Sequence, residues 1–280
     1  MRLIKVTGGL GNQMFIYAMY MNMRKAFPNT RLDLSDMAHY KVHYGYELHK
    51  VFNVPTDEFC INSYVKKVLE FLFFKTILER KQHGQLSVFW RSFRWPFIYF
   101  KGFYQSEIFF QDIKDEVRKA FTFDKGKANL LTHQLLRELD STDHTVSIHV
   151  RRGDYLQDKH WTSLGCICTP QYYMHAAEHI KQHVANPRFY VFSDEPEWIK
   201  QHLQLDNATY VDWNKEEDSW QDMMLMSHCR HNIICNSTFS WWGAWLNPNP
   251  NKIVIAPDKW NNAVRSDGIV PKEWIQQPTA

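Results

Sequence analysis

The second half of this chain constrains its fold more than any other feature. Short apolar runs rich in β-branched residues, at 145–150, 188–192, 209–211, 232–235 and 252–256, alternate with segments of helical periodicity near 170–184, 195–203, 217–229 and 237–246. Alternation of this kind needs helices that carry the chain back across a sheet so that the next strand can run parallel to the last. Strand–helix alternation at this spacing predicts an α/β fold with a parallel sheet covered on both faces. In such sheets ligands bind beyond the carboxyl ends of the strands, so the residues that follow each strand are the candidates for chemistry.

The first half opens the same way. Residues 3–6 predict a strand, a glycine loop follows, and an amphipathic helix is expected from about Gln13 to Ala26, stopped by Pro28. Asp33 to Ser35 should end a second strand. Between Tyr40 and Lys125 the pattern is less regular, with a basic amphipathic helix expected near 64–81 and an aromatic-rich stretch at 88–104. The polar run at 138–143 suggests a boundary near residue 140, giving domains 1–140 and 141–280.

Composition narrows the function classes. A net charge of +3 is far from the basic stripe of a nucleic-acid binder, so no nucleic-acid partner is expected. Five dispersed cysteines, with Cys166 and Cys168 one residue apart, do not make a zinc knuckle and read as reduced thiols. The glycines at 8, 9 and 11 interrupt any leader-like apolar run, and the greasy stretch 69–78 is too short and too charged to span a bilayer. Lys66, Lys67, Lys75, Arg80 and Lys81 beside Phe71, Phe73 and Phe74 read as a solvated basic face, with peripheral contact to an anionic membrane as the alternative.

Four strand-end motifs carry the candidate site. After the first strand comes GGLGNQ (8–13), where Gly9 and Gly11 let backbone N–H groups approach an anion and Asn12 adds a side-chain amide at a helix start. It is neither a Walker loop nor a full dinucleotide fingerprint, and a tight structural turn explains it as well. After Val150 comes HVRRGDY (149–155). Paired guanidiniums at a sheet's functional edge match phosphate oxygens, the alternative being an Arg–Asp surface pair. After Phe192, Asp194 serves either as a helix cap or as acceptor for the N–H donors of guanine. After Cys235, Asn236, Ser237, Thr238 and Phe239 open a helix and offer a second anion site, with capping as the alternative or concurrent role. The tryptophans at 241, 242 and 245 should pack that helix into the core, leaving only part of them for a ligand. Two helix starts and an arginine pair in a nucleotide-type fold point to a nucleoside-diphosphate ligand.

With GFYQSE (102–107), FSD (192–194) and NSTFSWWGAWL (236–246), these motifs resemble glycosyltransferase family 11, the α-1,2-fucosyltransferases, in order over nearly the whole chain. The resemblance implies a GT-B-like fold of two facing Rossmann-like domains with parallel sheets, the first on the acceptor side and the second binding the donor. It implies inverting transfer of L-fucose from GDP-fucose to the 2-hydroxyl of galactose in an oligosaccharide, without a metal. Absence of an Asp-x-Asp triplet agrees with the last point. On this basis Arg151 is expected on the β-phosphate with Arg152 in support. Gly9, Gly11, Asn12, His149, Asp194, Asn236, Ser237, Thr238 and Phe239 are expected around the nucleotide, His149 through its backbone. Asp154 is the candidate base or, equally, a carboxylate that orients an arginine; a mechanism without a base also remains open. Tyr104, Gln105 and the aromatics at 89–100 are acceptor-side candidates, with core packing as the alternative. By analogy the enzyme would be bacterial and cytoplasmic.

Two other classes compete. HAAEH (175–179) matches an inverted zinc-peptidase motif, with His175, His179 and His183 on one helical face. A non-catalytic GDP-sugar binding module would share the strand-end motifs.

Overall fold

The computed structural model describes residues 1–37, 44–55, 58–79, 95–156 and 162–279, apart from the side chains of Ser63 and Asp154. The chain divides into two compact units, Met1–Phe123 and Asp124–Ala280.

The first unit carries strands β1 (Arg2–Lys5), β2 (Thr30–Asp33), β3 (Glu58–Phe59), β4 (Lys75–Leu78) and β5 (Ile98–Lys101), with helices α1 (Leu10–Ala26), α2 (Leu48–Val51), α3 (Ser63–Phe73) and α4 (Lys114–Ala120). The sheet order is β3-β2-β1-β5-β4, and every pairing is parallel. Helix α1 departs from the amphipathic pattern expected of it. Met14, Phe15, Ile16, Tyr17, Met19 and Tyr20 are all buried, so the helix is enclosed on nearly every side. The helix expected at 64–81 ends at Phe73, because Phe74 turns extended (φ −95°, ψ 132°) and 75–78 pair in register with β5. Lys75, Thr76, Ile77 and Leu78 fit the helical period equally well; the ladder with β5 decides against it. Arg80, Lys81 and the aromatics at 89–94 lie outside the described residues.

The second unit carries α5 (Leu130–Ser141), β6 (Thr145–Val150), α6 (Pro170–His183), β7 (Arg188–Ser193), α7 (Pro196–His202), β8 (Ala208–Val211), α8 (Trp220–His228), β9 (His231–Ile233), α9 (Thr238–Leu246), β10 (Val254–Pro257), β11 (Lys259–Asn261), β12 (Val264–Arg265) and β13 (Ile275–Gln277). Its main sheet runs β13-β10-β9-β6-β7-β8, all parallel, with β11 and β12 forming a separate antiparallel pair. Central strand β6 is buried at all six positions, as a strand covered on both faces must be. Val146, Ile148 and Val150 join Tyr172, Ala176 and Ile180 of α6 and Phe189 and Val191 of β7 in the core.

The division at Phe123–Asp124 falls ahead of the polar run near 140. The reason is α5, which belongs to the second unit through polar bonds. Asn129 Nδ2 donates to Asn214 Oδ1 (2.7 Å), Thr132 Oγ1 to the same oxygen (3.0 Å), and Asn129 N to Gln221 Oε1 (2.9 Å).

Candidate active site

Strand order locates the site in the second unit. From β6 the chain steps one way to β7 and β8, then returns to the other side of β6 as β9, β10 and β13. The order reverses between β6 and β9, and at such a switch the loops after two adjacent strands diverge and leave a crevice at their carboxyl ends. The loops there are 151–153 after β6 and 234–237 after β9, with Asp194 following the neighbouring β7.

Asp194 organises the arginine loop. Its Oδ2 lies 3.3 Å from Arg151 Nε, and its Oδ1 accepts from the backbone N–H of Arg152 at 3.0 Å. Gly153 makes this approach possible, since a Cβ there would stand 2.8 Å from Asp194 Oδ2. Arg152 is held separately: its Nε meets Glu195 Oε2 at 3.1 Å, and its guanidinium stacks 3.4 Å from the centre of the Trp198 ring. The two alternatives for Asp194 thus meet a third use, because Ser193 Oγ accepts the Glu195 N–H (3.0 Å) and Asp194 orients the arginines. The same geometry gives Arg151 a carboxylate partner other than Asp154, whose side chain lies outside the description.

Beneath this loop, His149 is buried in β6, its ring 5.5 Å from that of Phe239 and its Nδ1 3.3 Å from Cys235 Sγ. Burial, reinforced by the Arg151 charge, pulls its pKa down to about 3, so the imidazole is neutral at pH 7. Burial also pushes the Cys235 thiol up to about 11, which makes it an inert packing group rather than a nucleophile. The His149 backbone lies in the ladder opposite Phe192. Its place is under the arginines, as support for Phe239.

The α9 start shows the capping role. Ser237 Oγ accepts from Phe239 N (3.3 Å) and caps the helix, while Thr238 and Phe239 are partly exposed. Asn236 is buried: its Nδ2 donates to Leu164 O and Trp260 O (3.3 Å each), and its carbonyl accepts from Tyr155 OH (3.0 Å). Its side chain therefore ties the loop after β9 to the segment at Leu164 and to β11. Trp241, Trp242 and Trp245 are all buried, and Trp241 Nε1 donates to Ile269 O (2.9 Å), so the part expected to face a ligand is absent.

The first unit has its own switch, between β1 and β5. Gly8 there adopts φ 81°, where a Cβ would fall 2.6 Å from Asn12 Nδ2. Asn12 Oδ1 accepts from Gln105 Nε2 (2.8 Å) across the two strand ends. The fully buried Gln13 fixes the glycine loop, donating to Gly8 O (2.9 Å) and Gly45 O (2.7 Å) and accepting from Glu47 N (2.9 Å). Glu47 Oε2 in turn accepts from Leu10 N (3.1 Å), so a carboxylate already sits at the helix start where Gly9, Gly11 and Asn12 were expected to receive an anion. Tyr104, at φ 54°, is buried against Phe109 and belongs to the core.

Glu47, Glu195 and Trp198 stand out only in the structure, since each acts on a partner distant in sequence or on another element. On α6, His175 and Glu178 are exposed and His179 stacks on His183 at 4.5 Å. Among the described residues no three His, Cys, Asp or Glu side chains gather as a metal site.

The model of glycosyl transferase family 11 matches residues 1–277. The chain belongs to this family. Among the family's curated members, an alpha-1,2-colitosyltransferase of Escherichia coli is 32% identical, covering 97% of both chains. An O-antigen biosynthesis glycosyltransferase, WbnK, of Escherichia coli is 30% identical, covering 96% of this chain and 98% of its own. The human galactoside alpha-(1,2)-fucosyltransferase 1 is 29% identical over 60% of this chain and 48% of its own. In fold the family 11 chain is similar to the fucosyltransferase NodZ from Bradyrhizobium (TM-score 0.56, 13% identity, 88% of this chain and 92% of that one). It is also similar to an Arabidopsis thaliana FUT1 variant in complex with GDP (TM-score 0.51, 12% identity, 98% and 75%). The two parallel α/β units are thus of the GT-B class, and the chain is a glycosyltransferase.

Proposed function

We propose that this family 11 enzyme transfers L-fucose from GDP-fucose to the 2-hydroxyl of a galactose residue in a glycan, with inversion and without a metal. The observation that carries the proposal is Arg151, held by Asp194 at the switch point beside the α9 N-terminus. As the bond between the sugar C1 and the β-phosphate oxygen breaks, its electron pair passes to the phosphate. The guanidinium and the helix start stand ready to take up that charge without reorganising. The acceptor oxygen forms its bond to C1 from the opposite face and gives up its proton, for which Asp154 is the candidate. The first unit is assigned to the acceptor and the second to the donor. Support comes from the family, from relatives named for alpha-1,2 transfer, and from fold neighbours captured with GDP-fucose or GDP.

One relative favours a second donor. An enzyme named for colitose, which is L-fucose without its 3-hydroxyl, aligns with nearly the whole chain. Incubating the chelated protein with GDP-fucose and lactose should release GDP and give a product whose α1-2 linkage NMR identifies. GDP release with GDP-colitose but not GDP-fucose would move the donor assignment. Nucleotide binding without release in either case would reduce the protein to a GDP-sugar binding module. Arg151→Ala should lower turnover about 100- to 1,000-fold, and activity within about threefold of wild type would remove Arg151 from this role.

A further inference from the structure

Helix α3 is inverted relative to an ordinary surface helix: Lys66 and Glu70 face the protein, while most of its apolar side chains face out. Lys66 is buried, with Nζ 2.7 Å from Asp36 Oδ1 and 3.3 Å from Asp33 Oδ2. Glu70 pairs with Lys101 and accepts from Thr76 Oγ1 (3.0 Å), and Glu79 beyond β4 accepts from Phe103 N (2.7 Å). Burial opposes ionisation of Asp36, but the ammoniums of Lys5 and Lys66 outweigh it and hold the carboxyl at about 2, so this inner network stays charged. Outside, Tyr64 is 75% exposed, Phe71 88%, Leu72 60% and Leu78 63%, with Val65, Val68 and Phe73 also exposed. The basic face expected here is therefore mainly apolar, interrupted by exposed Lys67 and Lys75.

We infer that this face docks on an anionic lipid surface. Apolar and aromatic side chains next to lysines, with the helix lying flat, are the arrangement that settles at the boundary between headgroups and acyl chains. Among the described residues 61–79 the acids are Glu70, paired inward with Lys101, and Glu79, engaged by the Phe103 N–H, so Lys67 and Lys75 carry the outward charge of the segment and complement phosphate headgroups. A second copy of the chain fits less well. A two-fold contact through this helix would set Lys67 and Lys75 among lysines with no exposed acid among the described residues 61–79 to meet them. No described helix is long and apolar enough to cross a membrane, so the contact lies along the surface.

Vesicle flotation of the full chain tests the inference, using phosphatidylcholine vesicles with and without phosphatidylglycerol. Flotation should require phosphatidylglycerol and weaken with salt. It should fall at least about tenfold for the double variant Phe71→Asp, Leu72→Asp and about fivefold for Lys67→Glu. These side chains are exposed, so circular dichroism and GDP binding should match wild type; Lys67→Glu keeps the test valid if the double variant misfolds. Flotation equal to wild type in folded variants would overturn the assignment. So would indifference of the wild type to phosphatidylglycerol. Dimerisation in sedimentation equilibrium that the same substitutions abolish, without flotation, would give the face to a second copy instead.

Discussion

Asp194→Asn separates an arginine-orienting carboxylate from one that binds the nucleotide base. In the structure the charge pair spans 3.3 Å between groups 29% and 23% exposed. At an effective dielectric constant of about 20 the bare attraction is about 5 kcal/mol, and partial solvation leaves a net contribution of about 1.5–3 kcal/mol for a charged hydrogen bond. Asparagine keeps an oxygen for the Arg152 N–H at 3.0 Å and loses only the charge toward Arg151. The expected loss is about 1–2 kcal/mol of transition-state stabilisation, or about 5- to 30-fold in kcat. The assay is a double-mutant cycle with Arg151→Ala, following product from GDP-fucose and lactose by mass spectrometry. If Asp194 acts through Arg151, Asp194→Asn should change turnover by less than about twofold once Arg151 is gone. Two losses that simply multiply would refute the reasoning and leave the carboxylate acting on substrate by itself.

Gly153→Ala should mimic Asp194→Asn in kcat, because its Cβ would displace the carboxylate from 2.8 Å; unchanged kinetics would show that the loop yields without consequence. Gln13→Ala removes partners from Gly8 O, Gly45 O and Glu47 N, and urea unfolding should show a loss of about 2–4 kcal/mol. His149 has a folded pKa of about 3 against an ordinary 6.5, so the unfolded chain takes up its proton first as the pH falls. Its contribution is held above pH 6.5 and lost between 6.5 and 3, about 2 kcal/mol of it by pH 5, and His149→Phe should flatten that acid limb in urea titrations. Activity should stay within about twofold after exhaustive chelation, checked by metal analysis; restoration by manganese would argue for Lewis-acid help to the leaving group.

Central strands were the most legible part of the fold. The run 145–150 is legible as β6 from its β-branched residues and its place in the strand–helix alternation, although its second covered face is the polar one of Thr145, Ser147 and His149. Edge strands were not: β4 continues the period of α3, and only pairing with β5 distinguishes them. The enclosure of α1 is not legible as a period, because its polar Gln13 and Asn22 are buried as well and donate to backbone carbonyls. In the site, Arg151, Arg152 and Asp194 are visible as strand-end residues, but their mutual bonds span 42 and 43 positions and follow from the pairing of β6 with β7. Asn236 shows the converse. A polar residue in a distinctive motif reads as a ligand contact, whereas its side-chain amide donates to Leu164 O and Trp260 O and its backbone carbonyl accepts from Tyr155 OH.

The allegiance of α5 sets where this protein can be recombined with its relatives. A chimera spliced at residue 124 inherits Asn129 and Thr132 together with Asn214 and Gln221, and the polar cluster arrives intact. A splice at 140 asks a foreign helix to satisfy Asn214 and Gln221, which stay behind as orphaned amides under a mismatched lid. Exchange of specificities within the family therefore has a natural seam, and it lies one helix ahead of the polar stretch at 138–143.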